Sequence, residues 1–423
     1  YTKIGVNYRT NDSIRSAVFT QTNNRKTYYI QSKLIQNSST DLFLYANYKT
    51  IHNAFREDEK LLNSKITFGK KLLNNFIQLN SIYETSTGSI PMQDYIYIKT
   101  EPGQGFYTWI DYNNDNIKDF NEFEIAIFKD QASYLRVALP NIRFVNTQRA
   151  KLTQLLVINP SQWKLKSGLK KLVSHFYNQS NFTIENEQYR SKSTFNLNPF
   201  DIDNSNVLGL RYHFKNSTYF NKNLQKFSLT YTFEESKNKQ LYSIGNQRSN
   251  NTLHLIGLTH KLSKFWTFEF DFKKSLQQLQ TENFTNQNFQ IDAKGISPKF
   301  LFNYSKDHLF SITYKHLNKK NNMGDSEQLQ QQNVGLSYFY ISKKKSQFRA
   351  ELNLFSNQFT GNQNSPVAYQ MLEGLQAGNN YTWSLIYLQK INSFLNINVN
   401  YLGRKSELSK TIHTGSIQLT ANF

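Results

Sequence analysis

The chain has no cysteine among its 423 residues, which excludes disulfides, thiolate catalysis and cysteine-ligated zinc. It lacks any run near the roughly 18 apolar residues that a membrane-spanning helix needs. The longest apolar stretches, such as YFYI at 338–341, have the length of a strand. Acidic side chains are scarce beside basic ones, 30 against 50, for a formal charge of +20. That excess fits nucleic acid, anionic lipid, an anionic solute, or simply a composition rich in Lys and Asn. The lysines are scattered along the sequence without a tight basic block, and no nucleic-acid-binding motif is present, so nucleic acid is not expected as a partner. The opening YTKIG carries neither Met nor a charged-then-apolar leader, and reads as a mature form or a fragment.

Catalytic signatures are missing too. There is no Gly-x-Ser-x-Gly elbow, no His-Glu-x-x-His, no phosphate-binding Gly-rich loop and no dinucleotide fingerprint. Eight His are spread singly. His213 and His316 are predicted on polar faces of strands, and Asp307-His308 in a tight turn. His413 near Ser416, in IHTGSI, has no visible acid converging on it. The expectation is a chain that is not an enzyme, with no catalytic residues.

What the chain does have is aromatic content, 15% with 33 Phe and 26 Tyr, at a mean hydropathy of −0.63. Its patterning has a period of two. In FLNINVNYLGR, Leu395, Ile397, Val399 and Tyr401 alternate with Asn396, Asn398 and Asn400; in FWTFEFDFK, Trp266, Phe268, Phe270 and Phe272 alternate with Thr267, Glu269, Asp271 and Lys273. Such alternation sets one face of each strand against an apolar medium and the other against water. The polar positions hold Asn, Lys, Glu, Arg and His, as a barrel with lipid outside and water inside requires.

Thirteen strands are predicted from 163–177 to 411–422, including 180–190, 205–218, 224–235, 251–261, 265–275 and 296–305. Six pieces precede them, from IGVNYRT through SIRSAVFT to NFIQLNSIYE. The links alternate between tight (SKDH, KLSK, FNKN) and long, as in SKNKQLYSIGNQRSN and NQFTGNQNSPVAYQMLEGLQAGNN. A transmembrane barrel has short periplasmic turns and long extracellular loops, whereas a Greek-key sandwich has no reason to segregate them. Nineteen pieces against an even-number rule point to about 18 strands, with 16 to 20 open. The fold class is all-β, an antiparallel up-and-down transmembrane barrel. It divides into N-terminal strands at 1–86, an extracellular insertion at 87–162 and C-terminal strands at 163–423. The final Phe423, closing an alternating strand, suits a barrel-assembly signal.

The insertion contains WIDYNNDNIKDFNEFE at 109–124. A calcium loop takes oxygen ligands at positions 1, 3, 5, 9 and 12 and a backbone carbonyl at 7. Asp111, Asn113, Asp115, Asp119 and Glu122 supply the side chains and Ile117 the carbonyl. Position 6, usually Gly, is Asn116, the next-best residue for a left-handed backbone. The expected cofactor is a structural Ca2+ that fastens a long surface loop.

The loop resembles those of EF-hands and, with its ninth-position Asp, of thrombospondin type 3 repeats. Two blocks, GQGFYTWIDYNNDNIKDFNEFEIAIFKDQASYLRVALPN and the stretch from YQMLEGLQAGNN to the C-terminus, resemble large uncharacterised outer-membrane proteins of the Bacteroidota. The shared pattern is Trp109, Asp111 and Asn113 ahead of Glu122-Phe123-Glu124, with Gly403-Arg404-Lys405-Ser406 as a turn before the last strand. The resemblance implies the bacterial outer membrane as location, with lipid and lipopolysaccharide as surroundings. The expected function is that of a scaffold or accessory subunit of a cell-surface, secretion or outer-membrane assembly complex, partnered by other membrane or surface proteins. A passive channel for anionic solutes and an outer-membrane hydrolase are the alternatives.

Overall fold

The computed structural model describes every residue except 16, 55–57, 93, 142, 191–194, 203–204, 223–225, 243, 343–345, 393, 408 and 422–423. The expectation for Phe423 therefore lies outside the described residues. Five strands come first: β1 (Thr2–Arg15), β2 (Val18–Gln36), β3 (Thr40–Asn53), β4 (Glu59–Leu72) and β5 (Ile77–Met92). A small sheet follows, made of β6 (Tyr95–Lys99), β7 (Tyr107–Trp109), β8 (Phe123–Ile125) and β9 (Tyr134–Ala138). The long strands then resume with β10 (Arg143–Ile158), helix α1 (Leu169–Val173), β11 (Phe176–Tyr189), β12 (Val207–Phe220), β13 (Phe227–Tyr242) and β14 (Gly245–Lys261). After these come β15 (Trp266–Thr281), β16 (Phe289–Asn303), β17 (His308–Asn321), β18 (Gln328–Ile341) and β19 (Ser346–Thr360). Helix α2 (Pro366–Leu372) precedes β20 (Gly378–Lys390), β21 (Leu395–Ser406) and β22 (Ile412–Ala421).

The long strands form one 18-stranded antiparallel sheet. The expected number holds, but two predicted strands do not. The predicted piece at 13–20 is divided between the end of β1 and the start of β2, with Ala17 at φ 64° between them, so it is no separate strand. Of the predicted strand 163–177, residues 163–175 are a link containing α1, introduced by Gly168 at φ 64°, and 176–177 open β11. The strand belongs instead to 143–158, which pairs along its length with β5 and over Thr147–Ile158 with β11. The insertion between sheet strands is accordingly 93–142 rather than 87–162. The predicted long loop at 236–250 is mostly strand, because β13 runs to Tyr242 and β14 starts at Gly245. Asn, Gln and Lys side chains do not prevent the backbone ladder from forming, so composition placed the ends of this hairpin too early. Strands of 14 to 19 residues in β1–β5 exceed the roughly ten that cross a bilayer.

The chain divides into two compact units, one of Tyr1–Asp94, Leu139–Tyr219 and Phe233–Asn250, the other of Tyr95–Ala138, Phe220–Thr232 and Asn251–Phe423. In the second unit, burial is the reverse of that in a water-soluble sheet. Phe310 and Ile312 of β17 are 44% and 54% exposed while Ser311 between them is 7% exposed. In β18, Val334 and Leu336 are exposed and Gln331 and Asn333 are buried. Rings on the exposed face form a row across five strands: Trp266 to Phe302 at 4.8 Å, Phe302 to Phe310 at 6.4 Å, Phe310 to Tyr338 at 4.6 Å and Tyr338 to Phe348 at 6.1 Å. Beyond Val334 the same face turns to Gln332, Gln330 and Gln328, all exposed, so the apolar band has an edge. His316 pairs with Gln332 on this face, not on the polar face where it was predicted.

The polar face of this unit is covered near its long-link end. Helix α2 is started by Ser365, whose Oγ accepts from Ala368 N at 3.1 Å, and by Pro366 at its first turn; Glu373 at φ 54° ends it. Its Val367, Ala368, Met371 and Leu372 pack with Phe289, Ile291 and Leu329 in a dry cluster. Leu329 lies on the same side of β18 as Gln331 and Asn333, which fixes the covered face as the polar one.

In the first unit the polar face carries opposed charges: Lys65 faces Glu84 in register at 2.9 Å and Lys151 faces Glu185 at 3.7 Å, with Arg149 reaching Glu185 diagonally at 3.3 Å. Its other face holds Tyr48, Tyr83 and Phe182, and residues 195–202 strap across it. Phe200 stacks on Phe182 at 6.2 Å, and Tyr83 donates to Leu197 O at 2.5 Å. Asn186 and Gln188 donate to Asp201 O at 2.6 and 2.8 Å, so the strap backbone takes up two amide donors on this face.

Candidate metal centre

The small sheet pairs β6 with β9, β9 with β7 and β7 with β8. Its core is aromatic, with Tyr97 stacked on Phe123 at 4.0 Å and Phe123 edge-on to Tyr134 at 5.1 Å. Between β7 and β8 the chain makes the acidic loop. Asn114 and Asn116 stand at φ 60° and 61°, the left-handed turn that Gly would otherwise serve. The side-chain oxygens are held by the loop's own backbone: Asp115 N donates to Asp111 Oδ1 at 3.2 Å and to Asn113 Oδ1 at 3.1 Å. Asn116 N donates to Asp111 Oδ2 at 2.9 Å and Ile117 N to Asp115 Oδ1 at 2.6 Å.

Asp111, Asp115 and Glu122 bring a carboxylate oxygen each within 4.8 Å of one another. Glu122 is 1% exposed, and its Oε2 accepts from Trp109 Nε1 at 2.8 Å and Asp119 N at 3.4 Å. None of these three acids has an ion-pair partner among the described residues. Three like charges at this spacing, one of them buried, repel one another, and a bound cation would relieve that repulsion. The donors are all oxygen, the set that a hard divalent ion takes. Of the six predicted ligands, the carboxylates of Asp111, Asp115 and Glu122 converge. Asn113 lies beside them through Asn113 Nδ2 to Asp115 Oδ2 at 2.8 Å. The Asp119 carboxylate is not among the converging three, and the Ile117 carbonyl accepts from the Asp119 backbone N at 3.2 Å.

Further groups fasten the insertion to the sheet, and no local pattern marks them. Asn364 Nδ2 donates to the carbonyls of Asp111 and Tyr112, each at 3.2 Å, so the link after β19 grips the loop backbone. Tyr369 of α2 donates to Ile125 O at 3.1 Å and accepts from Ile127 N at 3.2 Å. Burial pushes its hydroxyl pKa up, as it does that of Tyr112. Burial also pushes the Glu124 carboxyl up to about 7, against the opposing hydrogen bonds from Gln370 and Tyr112.

Arg404 pairs with Asp130 at 2.5 Å and lies over the Phe128 ring at 4.2 Å. The FKDQ and Gly403-Arg404 segments of the two resembling blocks therefore touch. The latter is the end of β21 rather than a turn, and the Trp383 indole lies over Gly403, where an added Cβ would meet it at 2.1 Å. Arg404→Gln is expected to loosen the insertion by about 1–2 kcal/mol. A double-mutant cycle with Asp130→Asn, read as resistance to proteolysis, should give a coupling of that size; additivity would disprove the pair's role.

His413 donates to or accepts from the Tyr401 hydroxyl at 2.8 Å. It sits on the opposite face of β22 from Ser416, so no dyad forms. His308 meets the Tyr338 hydroxyl at 2.8 Å, and His213 lies 4.0 Å from Glu234 on the polar face.

No family model and no curated protein matches the chain. Among solved structures it is similar to the OmpF porin of Salmonella typhi in complex with daunomycin, at 9% identity and a TM-score of 0.33, over 91% of this chain and 95% of that one. It is also similar to the P pilus usher PapC translocation pore, at 6% identity and a TM-score of 0.18, over 99% and 98%. At such scores neither likeness bears on function.

Proposed function

We propose that the sheet closes into a transmembrane barrel in a bacterial outer membrane, with the apolar face in lipid. In this reading the chain acts without catalysis, as a scaffold or accessory subunit of a surface or secretion assembly. The observation that carries the membrane reading is the reversed burial, Phe310 and Ile312 outward and Ser311 inward. Monomeric soluble proteins do not leave apolar bands of this extent in water. The aromatic row from Trp266 to Phe348 supports it as an interfacial girdle.

The scaffold role is favoured over a passive anion channel by what occupies the polar face. Helix α2 and the insertion cover it in the second unit. Its charges are paired as well, Lys299 with Glu269 at 3.5 Å and Arg349 with Glu351 at 2.5 Å. Charges paired in this way contribute little to anion selectivity. The insertion would hold a structural Ca2+ through Asp111, Asn113, Asp115 and Glu122, with Asp119 and the Ile117 carbonyl as the further expected ligands. The ion supplies charge neutralisation and fixes the loop that Asn364 grips.

Planar-bilayer recordings of the purified chain are expected to be silent, and affinity capture from native outer membranes is expected to bring other membrane or surface proteins with it. Steady ohmic conductance with anion preference would replace the scaffold with the channel.

A further inference from the structure

The scattered lysines are gathered by the fold. The link between β4 and β5 and the link between β10 and β11 lie together in the first unit: Phe76 stacks on Trp163 at 4.9 Å, Asn159 N donates to Phe76 O at 2.8 Å, and Gln162 Nε2 donates to Leu73 O at 3.1 Å. The second of these links holds Lys164, Lys166, Lys170 and Lys171, all exposed, and Lys70 and Lys71 close the strand before the first. Neither 60–76 nor 159–175 contains an Asp or Glu. Interleaved with the lysines are apolar side chains turned to the outside. Leu165 is 99% exposed and Leu169 79%, with Leu172 and Leu73 above half. The start of the link is pinned by Pro160, which is buried, and by Trp163, and its end by Ser174, which is buried. The pinning point adjoins Ile77 and Ile158, paired across β5 and β10, where the strands end.

We infer that residues 159–175, together with 70–76, form an anionic-lipid-binding surface that seats one end of β4, β5, β10 and β11 on phospholipid headgroups. The inference rests on the membrane reading above. A polybasic segment without acids, carrying Leu side chains at the level where strands leave the bilayer, has the composition of an interfacial anchor. The Leu side chains enter the acyl boundary and the Lys ammonium groups meet phosphate. The described residues leave these Leu side chains mostly exposed, and each Lys near an anionic surface strengthens association about five-fold.

The test uses the whole chain in lipid nanodiscs. Because it has no cysteine, Leu169→Cys gives a unique attachment point for an environment-sensitive fluorophore, and Ile312→Cys a control on the sheet's apolar face. Discs of phosphatidylcholine alone are compared with discs containing one-third phosphatidylglycerol. The expected result is a blue-shifted, lipid-quenched label at position 169 in the anionic discs only. Salt should reverse it, and Lys164→Gln, Lys166→Gln, Lys170→Gln and Lys171→Gln together should reduce the embedded fraction about ten-fold or more. A label at 169 that stays in water in both discs, while that at 312 is in hydrocarbon, overturns this inference alone. A label at 169 shielded only in native membranes overturns it in favour of an acidic protein partner. Should the label at 312 also stay in water, the membrane reading itself falls.

Discussion

Ile312→Arg is expected to cost about 2–4 kcal/mol of stability in a bilayer, while Thr313→Arg, one residue along β17, changes it little. The contrast follows from the strand period. Ile312 sits between Phe310 and Tyr314 on the exposed apolar face, and Thr313 lies with Ser311 on the polar one. An Arg at 312 has to be desolvated or has to thin the bilayer around it, whereas at 313 it reaches water. Denaturant titration of both variants in lipid vesicles measures the difference. Equal losses at the two positions would mean that the exposed face meets something other than lipid, and the outer-membrane proposal would fail with it.

Removing calcium is expected to open the insertion. An ion at a hundred times its dissociation constant stabilises the folded loop by about 2.7 kcal/mol. Without it, Asp111, Asp115 and Glu122 repel one another at contact range. Limited proteolysis should therefore show chelator-induced cutting between 101 and 131 in the native chain. Glu122→Gln should cut at the same sites whether or not calcium is present, since it withdraws the buried ligand that also orients Trp109. Intrinsic fluorescence of Trp109 gives a second readout. Cleavage that a chelator leaves unchanged would remove the metal from the account, and Asn364 and Tyr369 would then hold the loop alone.

Much of the strand pattern was legible because alternation is a local property. Phe227, Leu229 and Tyr231 predict β13 without reference to any neighbour, and all three are exposed as an outward apolar face requires. Strand ends were harder to place. The Asn- and Gln-rich ends of β13 and β14 look like loop but pair as strand, because a hairpin in water needs only its ladder and its turn. The two misplaced strands arose where local pattern was ambiguous. TrpLysLeuLys at 163–166 alternates like a strand, yet Gly168 turns the chain and 143–158 takes the place beside β5.

The candidate centre divides in the same way. The spacing of Asp111, Asn113, Asp115 and Glu122 was readable, as was the turn at Asn116, because a loop of this length folds on its own backbone. What grips it was not. Asn364 lies some 250 residues away, and Arg404 reaches Asp130 across 274 positions.

By itself, the sequence determined the all-β class, the two-faced strands and the acidic loop, since each is fixed by neighbours within about a dozen residues. Only the tertiary structure decided which strand lies beside β5, that α2 and the insertion cover the polar face, and that lysines 70–71 and 164–171 share one surface. Those outcomes depend on which distant segments pack together, and a sheet with equivalent alternation in every strand leaves that choice open until long-range contacts are made.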